Sequence, residues 1–402
     1  MENRTGIWFI GAWGGVAATA TLGLLATREK KAPLVGLTTE LPEFSGIPQM
    51  PDWKDFVIGG CEIRRGSFAE TADDLASQNA LDSRLVEVLR AELCALDAEI
   101  VPGYTCNSGP VVERMADWSR KDATTGRAMV SAMQVEMGAF VKRHGLSHLI
   151  VFNLMSTEPV CEYFQDSLHR QEWEHWDAME SLLDSGMCPL PASSLYAIAA
   201  LEAGYDFVNF TPSLGATPPA MGELAAKTGA RFFGNDGKTG ETLMKSTLAP
   251  MFAHRNLEIM SWVGHNIFGN RDGVVLDDPR NKATKVTSKN HLLEQILGYS
   301  PQTLVTIEYI KSLGDWKTAW DHIHFRGFLG TPMTLQFTWQ GCDSLLAAPL
   351  VLDLIRLTEL ARRRQFTGKM DFLACFFKSP IGVSEQGFVR QFEQLERWMR
   401  VE

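Results

Sequence analysis

Ile7-Trp8-Phe9-Ile10-Gly11-Ala12-Trp13-Gly14-Gly15-Val16-Ala17-Ala18-Thr19-Ala20-Thr21 is the stretch whose reading decides the fold. A short apolar run, a glycine-rich break and an alanine-rich continuation describe a buried strand, a tight turn and a helix. Bare backbone at such a turn lets a helix N-terminus approach a pyrophosphate. The turn is not a full GxGxxG, because Trp13 takes the second glycine's place, and a ligand-free strand-to-helix turn looks the same. The uncharged interval between Arg4 and Arg28 is also long enough to cross a bilayer. A signal peptide would use Arg4 as its basic flank and Ala18-Thr19-Ala20 as its cleavage site. The internal glycines argue against both membrane readings.

Outward from this stretch, Pro33-Leu34-Val35-Gly36-Leu37-Thr38 reads as a second strand and Asp55-Phe56-Val57-Ile58-Gly59-Gly60 as a third. Residues 68–100 and 111–144 have helical spacing, and His148-Leu149-Ile150-Val151-Phe152-Asn153 is another buried strand. Residues 193–201 look helical and 207–210 strand-like. Strands alternating with helices predict a parallel sheet covered on both faces. From about residue 245 the texture changes: polar, Asn- and Lys-rich stretches cover 264–290, and alternating strand-like runs cover 303–311 and 333–339. These predict an α+β insertion with antiparallel strands inside a nucleotide-binding domain. The runs 345–360 and 372–377 return to a buried helix and strand.

Composition bounds the function. A chain of 402 residues, 45% hydrophobic and 21% charged, buries a sizeable core and suits two domains or one with an insertion. A net charge of −10 gives no global field for nucleic-acid phosphates. Seven cysteines without a CxxC pair point to a reducing compartment rather than a disulfide framework.

Several motifs carry possible chemistry. Glu62 follows the third strand-like run, where a carboxylate can accept from an adenosine ribose, although a lone acid is more often a solvated loop residue. Gly234-Asn235-Asp236-Gly237-Lys238-Thr239-Gly240 ends like a phosphate loop, but Phe232 stands where that loop requires glycine, which excludes the NTPase reading. It remains a glycine-rich lead into a helix at 241–252. Lys285 and Lys289, four positions apart with Lys282 nearby, share a face if helical; a solvated basic face is the ordinary reading. Lys317, in Gly314-Asp315-Trp316-Lys317, and Lys378, after Phe376-Phe377, stand where burial would make a charge matter. His322 and His324 share a strand face, yet no HExxH or Cys/His zinc spacing occurs, and no GxSxG elbow.

Together these residues resemble the myo-inositol-1-phosphate synthase (inositol-3-phosphate synthase) family, in its shorter archaeal-type branch. The resemblance runs from Gly11-Ala12-Trp13-Gly14-Gly15 through Leu37-Thr38-Thr39-Glu40-Leu41-Pro42, Ser156-Thr157-Glu158-Pro159 and Asn209-Phe210-Thr211-Pro212-Ser213. It continues with the segment 234–242, His265-Asn266-Ile267-Phe268-Gly269-Asn270-Arg271-Asp272-Gly273, Asp343-Ser344-Leu345-Leu346-Ala347 and Phe376-Phe377-Lys378-Ser379-Pro380.

The resemblance implies an α/β fold: a Rossmann-type NAD-binding domain at 1–245, completed by 344–402, with an inserted catalytic and tetramerisation domain at 246–343. It implies NAD-dependent conversion of D-glucose 6-phosphate to 1L-myo-inositol 1-phosphate through oxidation at C5, enolisation, aldol closure of C6 onto C1 and reduction. The family's catalytic lysines match Lys285, Lys289, Lys317 and Lys378. Lys285 and Lys378 would serve the C5 oxygen, and Lys289 and Lys317 the phosphate and the C1 carbonyl oxygen. NAD contacts map onto Gly11, Ala12, Trp13, Gly14, Gly15, Val16, Glu62, Ser156, Thr157, Asp236, Thr239, Asn270 and Asp343, and substrate contacts onto Asn266 and Asp272. The family further implies a cytoplasmic homotetramer joined through the inserted sheet and, as archaeal-type members need one, a divalent cation or other metal near the cofactor phosphates. Departures at Asn153-Leu154-Met155 and His265 leave a second cyclase reading open, on another sugar phosphate such as fructose 6-phosphate. A non-catalytic NAD-binding or membrane-attached protein is the alternative from a different class.

Overall fold

A computed structural model describes residues 4–270, Gly273 and 292–400. Its centre is a seven-stranded, wholly parallel sheet in the order β11-β6-β5-β4-β1-β2-β3. The strands are β1 (Thr5–Ile10), β2 (Phe56–Glu62), β3 (Ile100–Pro102), β4 (His148–Asn153), β5 (Asp206–Asn209), β6 (Arg231–Gly234) and β11 (Gly368–Lys369). Strand β1 is buried at every residue and pairs with β2 on one side and β4 on the other.

Side-chain alternation along β1 feeds two cores. Ile7 and Phe9 pack with residues of the helices Gly15–Arg28 and Asp343–Arg363, among them Leu22 and Leu352. Trp8 and Ile10 pack on the opposite face with residues of Gly126–His144 and Ala192–Glu202, among them Met137 and Ile198. Covering both faces is what makes the central strands almost continuously apolar. Strand order reverses between β1 and β4, and in open parallel sheets ligands bind beyond the carboxyl ends of the strands at that switch point.

A second sheet, order β10-β9-β7-β8, is built from β7 (Glu258–Phe268), β8 (Gln302–Tyr309), β9 (Trp316–Arg326) and β10 (Pro332–Cys342). It is not purely antiparallel: β9 runs antiparallel to β7 and β10, but β7 and β8 are parallel.

Two further expectations are corrected. Residues 33–37 form no strand: Val35 is 90% exposed, Gly36 takes a positive φ, and Thr38–Glu40 is a 3-10 turn. Both edges of β1 are already occupied by β2 and β4. Asp371–Phe376 is a buried 3-10 helix rather than a strand, since continuous apolarity reports burial without reporting period. The uncharged N-terminal run divides into β1 and the helix Gly15–Arg28, and none of the described helices is long and apolar enough to cross a membrane.

Candidate functional site

A cleft of about 370 Å³ opens beyond the carboxyl ends of β1 and β4. Its floor is the turn after β1. Gly11 adopts φ +83°, and a side-chain carbon there would stand 3.2 Å from the Leu154 carbonyl oxygen, so position 11 requires bare backbone. The Gly11 and Ala12 N–H groups donate to the Cys61 carbonyl. The helix Gly15–Arg28 then begins without a side-chain cap, and Gly14, Gly15 and Val16 line the cleft, which leaves first-turn N–H groups for an anion. Trp13 donates from its indole to Asp97 at 2.8 Å and stacks on Trp118.

The loops after β5, β6 and β11 are fixed by amides. Asn153 donates to Asn209 at 2.9 Å, and Asn209 to Asn235 at 2.8 Å. The segments 235–238 and 376–379 then zip together: Asn235 N–H donates to the Ser379 carbonyl, Lys378 N–H to the Asp236 carbonyl, and Lys238 N–H to the Phe376 carbonyl. This ladder carries Lys378 to the cleft, where its ammonium sits 2.9 Å from Asp236 Oδ1. Asp236 takes a left-handed φ of +60° and Thr239 begins the helix Gly240–His254 without a side-chain cap. Lys238 turns away from the cleft. It is buried against Gln391, and burial pushes its amine down to about 8.

From the second sheet, Lys317 reaches the same cleft, 3.9 Å from Asp343 Oδ1 and over the Phe268 ring. Asn270 donates to the other Asp343 oxygen at 3.5 Å. Asp315, which sequence reading had not singled out, caps the helix Asp343–Arg363 by accepting from the Ser344 N–H and hydroxyl, both at 2.8 Å. Burial raises its carboxyl above the ordinary range. Gln78 in turn accepts from the Asp315 N–H at 2.7 Å and fixes the start of β9. Neither residue has a local motif to betray it.

A smaller cavity adjoins the cleft, lined by Gly11, Glu62, Arg64, Tyr104, Ser108 and Glu158 among others. Glu62 is buried, and its oxygens accept from the Trp13 and Ile63 N–H groups at 3.2 and 2.9 Å. Glu158 is bonded to Ser193 through both oxygens, and burial pushes its carboxyl up to about 7.

Of the expected contacts, Trp13, Gly14, Gly15, Val16, Ser156, Thr157, Asp236, Thr239, Asn270, Asp343, Lys317 and Lys378 line the cleft, and Gly11 and Glu62 the adjoining cavity. Ala12 is buried beneath the turn, lining neither. Asn266 is fully buried and donates to Glu241 at 2.6 Å, beside the Glu241–Lys245 ion pair. Lys282, Lys285, Lys289 and Asp272 lie outside the described residues. Among the described residues no group of three or more His, Cys, Asp or Glu side chains is placed to hold a metal ion, and no step is assigned to one.

The switch-point cleft, the bare turn and the buried acid beyond β2 define a Rossmann-type dinucleotide-binding protein, here with lysines in the cleft wall. The chain belongs to the myo-inositol-1-phosphate synthase family, whose model, an NAD-binding one, matches residues 35–400. Inositol-3-phosphate synthase 1 of Bacteroides thetaiotaomicron is 31% identical over 400 residues, covering 94% of this chain and 90% of that protein. Inositol-3-phosphate synthase 1 of Oryza sativa is 26% identical over 402 residues, covering 90% of this chain and 75% of that one. The crystal structure of inositol-3-phosphate synthase from Caenorhabditis elegans shares the fold, with a TM-score of 0.87 at 23% identity over 99% of this chain and 86% of that chain.

Proposed function

We propose that this protein is an NAD-dependent cyclase that converts D-glucose 6-phosphate to 1L-myo-inositol 1-phosphate. Family membership supports the reading. The structural observation that carries it is that Lys317 and Lys378, brought from different parts of the fold, line one cleft with Trp13, Gly14 and Gly15 of the turn after β1.

The residues present fit a dinucleotide. The glycine-rich turn and the uncapped helix would hold its pyrophosphate, Glu62 its adenosine ribose, and Ser156, Thr157, Asp236, Thr239, Asn270 and Asp343 its remaining length. Bound NAD supplies a hydride acceptor early in the cycle and a donor late, so the sugar undergoes no net redox change.

The chain's own groups answer the charge that develops on the sugar. Asp236 orients the Lys378 ammonium, which we place at the C5 oxygen, where it stabilises an alkoxide and then an enolate. Asp343 and the Phe268 ring hold Lys317 for the phosphate or the C1 oxygen, which becomes an alkoxide on ring closure. A preorganised donor aimed at such an oxygen in a water-poor cleft contributes about 3 to 4 kcal/mol to transition-state stabilisation. Lys285 and Lys289 complete the lysine set in this proposal.

We also place the protein in the cytoplasm as a homotetramer joined through the second sheet. Free thiols, including exposed Cys94, suit a reducing compartment. The outer face of that sheet presents Trp320 and Leu304, 44% and 51% exposed, in two adjacent cross-strand rows, Trp320–His265–Thr306 and His322–Val263–Leu304. The function is tested by incubating pure protein with glucose 6-phosphate and NAD and following phosphorus NMR. Inositol phosphate without accumulated NADH is the expected result. No inositol phosphate, or faster turnover of fructose 6-phosphate, would overturn the assignment.

A further inference from the structure

Arg64 and Arg65 follow β2, which ends at Glu62, with only Ile63 between. Neither arginine belongs to the lysine set or to the family-implied cofactor contacts. Arg64 lines both the cleft and the smaller cavity. Gly14, Leu154, Met155 and Ser156 share that seam, and Arg64 is the charged member of the set among the described residues. Its Nη2 stands 3.7 Å from Glu62 Oε2, with the side chain about one-fifth exposed. Arg65 is exposed at the cleft edge, its N–H donating to Asp117 at 2.9 Å.

Two opposing devices therefore meet at one place. A carboxylate at the end of this strand accepts from a ribose 2′-hydroxyl and repels a 2′-phosphate, whereas a nearby arginine accommodates that phosphate. The guanidinium is the fork best matched to a phosphate, through charge-assisted bidentate bonds. Glu62 is the better placed of the two, buried and held by backbone donors on both oxygens, while Arg64 is closer to solvent and its charge is more screened. Resting on the cofactor reading above, we infer that Arg64 is a specificity-determining residue at the adenosine end of the site. With Arg65 beside it, it is a latent 2′-phosphate acceptor that Glu62 holds in check, so the preference for NAD over NADP depends on a single carboxylate.

Equilibrium titration of the full-length protein with NAD and with NADP, followed by tryptophan fluorescence and by thermal shift, tests this without recourse to turnover. The unmodified protein should favour NAD by about a hundredfold or more, and Glu62→Gln, which keeps one acceptor oxygen for the backbone, should tighten NADP at least about tenfold while loosening NAD. Glu62→Gln combined with Arg64→Ala should lose that gain, and the gain should shrink with added salt. Arg64→Ala alone, which does not disturb the buried acid, should weaken NADP at least about fivefold and NAD less than about twofold. Equal weakening of both dinucleotides by Arg64→Ala would make the arginine a pyrophosphate contact and overturn the inference. So would a Glu62→Gln protein that loses NAD without gaining NADP. Failure of the unmodified protein to bind either dinucleotide would instead remove the cofactor reading beneath it.

Discussion

At the scale of single residues, Lys378 and Glu158 carry opposite kinds of burden. Lys378 has its ammonium directed by Asp236 and its backbone held in the ladder to 235–238, so removing the amine should leave the loop in place. Lys378→Ala should lower kcat about a hundredfold or more, the cost of deleting one aimed oxyanion donor, with far-ultraviolet circular dichroism unchanged. Glu158 titrates with folding. Its carboxyl rises from an ordinary 4.5 to about 7 because burial disfavours its charged form. The native chain thus holds this proton more tightly than the unfolded one, so the contribution is complete below about pH 4.5 and lost as pH climbs to about 7. The loss amounts to ~3 kcal/mol. Asp353, pushed up to about 6 by burial between Thr38 and Thr39, adds its own fall over part of that window. Urea unfolding of Glu158→Gln at both ends of the range should recover most of the Glu158 share, because glutamine meets Ser193 without ionising. An unaltered slope would show that the carboxyl is not the responsible group.

At the scale of elements, the helix Gly15–Arg28 can lie against Asp343–Arg363 because position 15 has no side chain. A carbon there would stand 2.4 Å from Ser344 Oγ, a hydroxyl already committed to Asp315. Gly15→Ala should cost about 1 to 3 kcal/mol through overpacking. Calorimetry should show the lower Tm, and dinucleotide affinity should fall because the uncapped turn moves with the helix. The strand, turn and helix around this glycine were legible in the sequence because apolarity, bare backbone and a helix-forming run follow one another within one short stretch. Residues 33–38 deceived because local apolarity does not reveal whether a strand edge is available to pair with. Strand β7 was hidden, and β9 was legible only at His322 and His324, for other reasons. A bulge between Ile259 and Ser261 breaks the alternation in β7, and β9 buries Asp321, which accepts from the Trp262 indole at 2.6 Å. Lys317 and Lys378 could be singled out because they interrupt apolar surroundings. Asp315, Gln78 and Arg64 could not, since their partners come from remote chain or from an otherwise ordinary acid.

For the whole molecule, the proposed homotetramer would use a sheet face that the single chain leaves exposed. If the outer side of the second sheet joins subunits, Trp320→Glu should place a charge at its centre and shift light-scattering mass toward smaller species, with little change in the isolated fold. An unchanged mass would exclude this face as the joint. The first sheet closes in an order that differs from chain order. Strand β1 lies inside it between β4 and β2, β11 pairs onto β6 at one edge, and the ladder from 376–379 fixes the glycine-rich segment beneath Lys378. Strands β1 to β6 leave the ribosome well before that ladder's second half. A nascent chain paused in translation ahead of Lys378 would hold nearly the entire parallel sheet while lacking the lysine we place at the C5 oxygen. Catalytic competence would then arrive abruptly during synthesis, with one late-emerging loop.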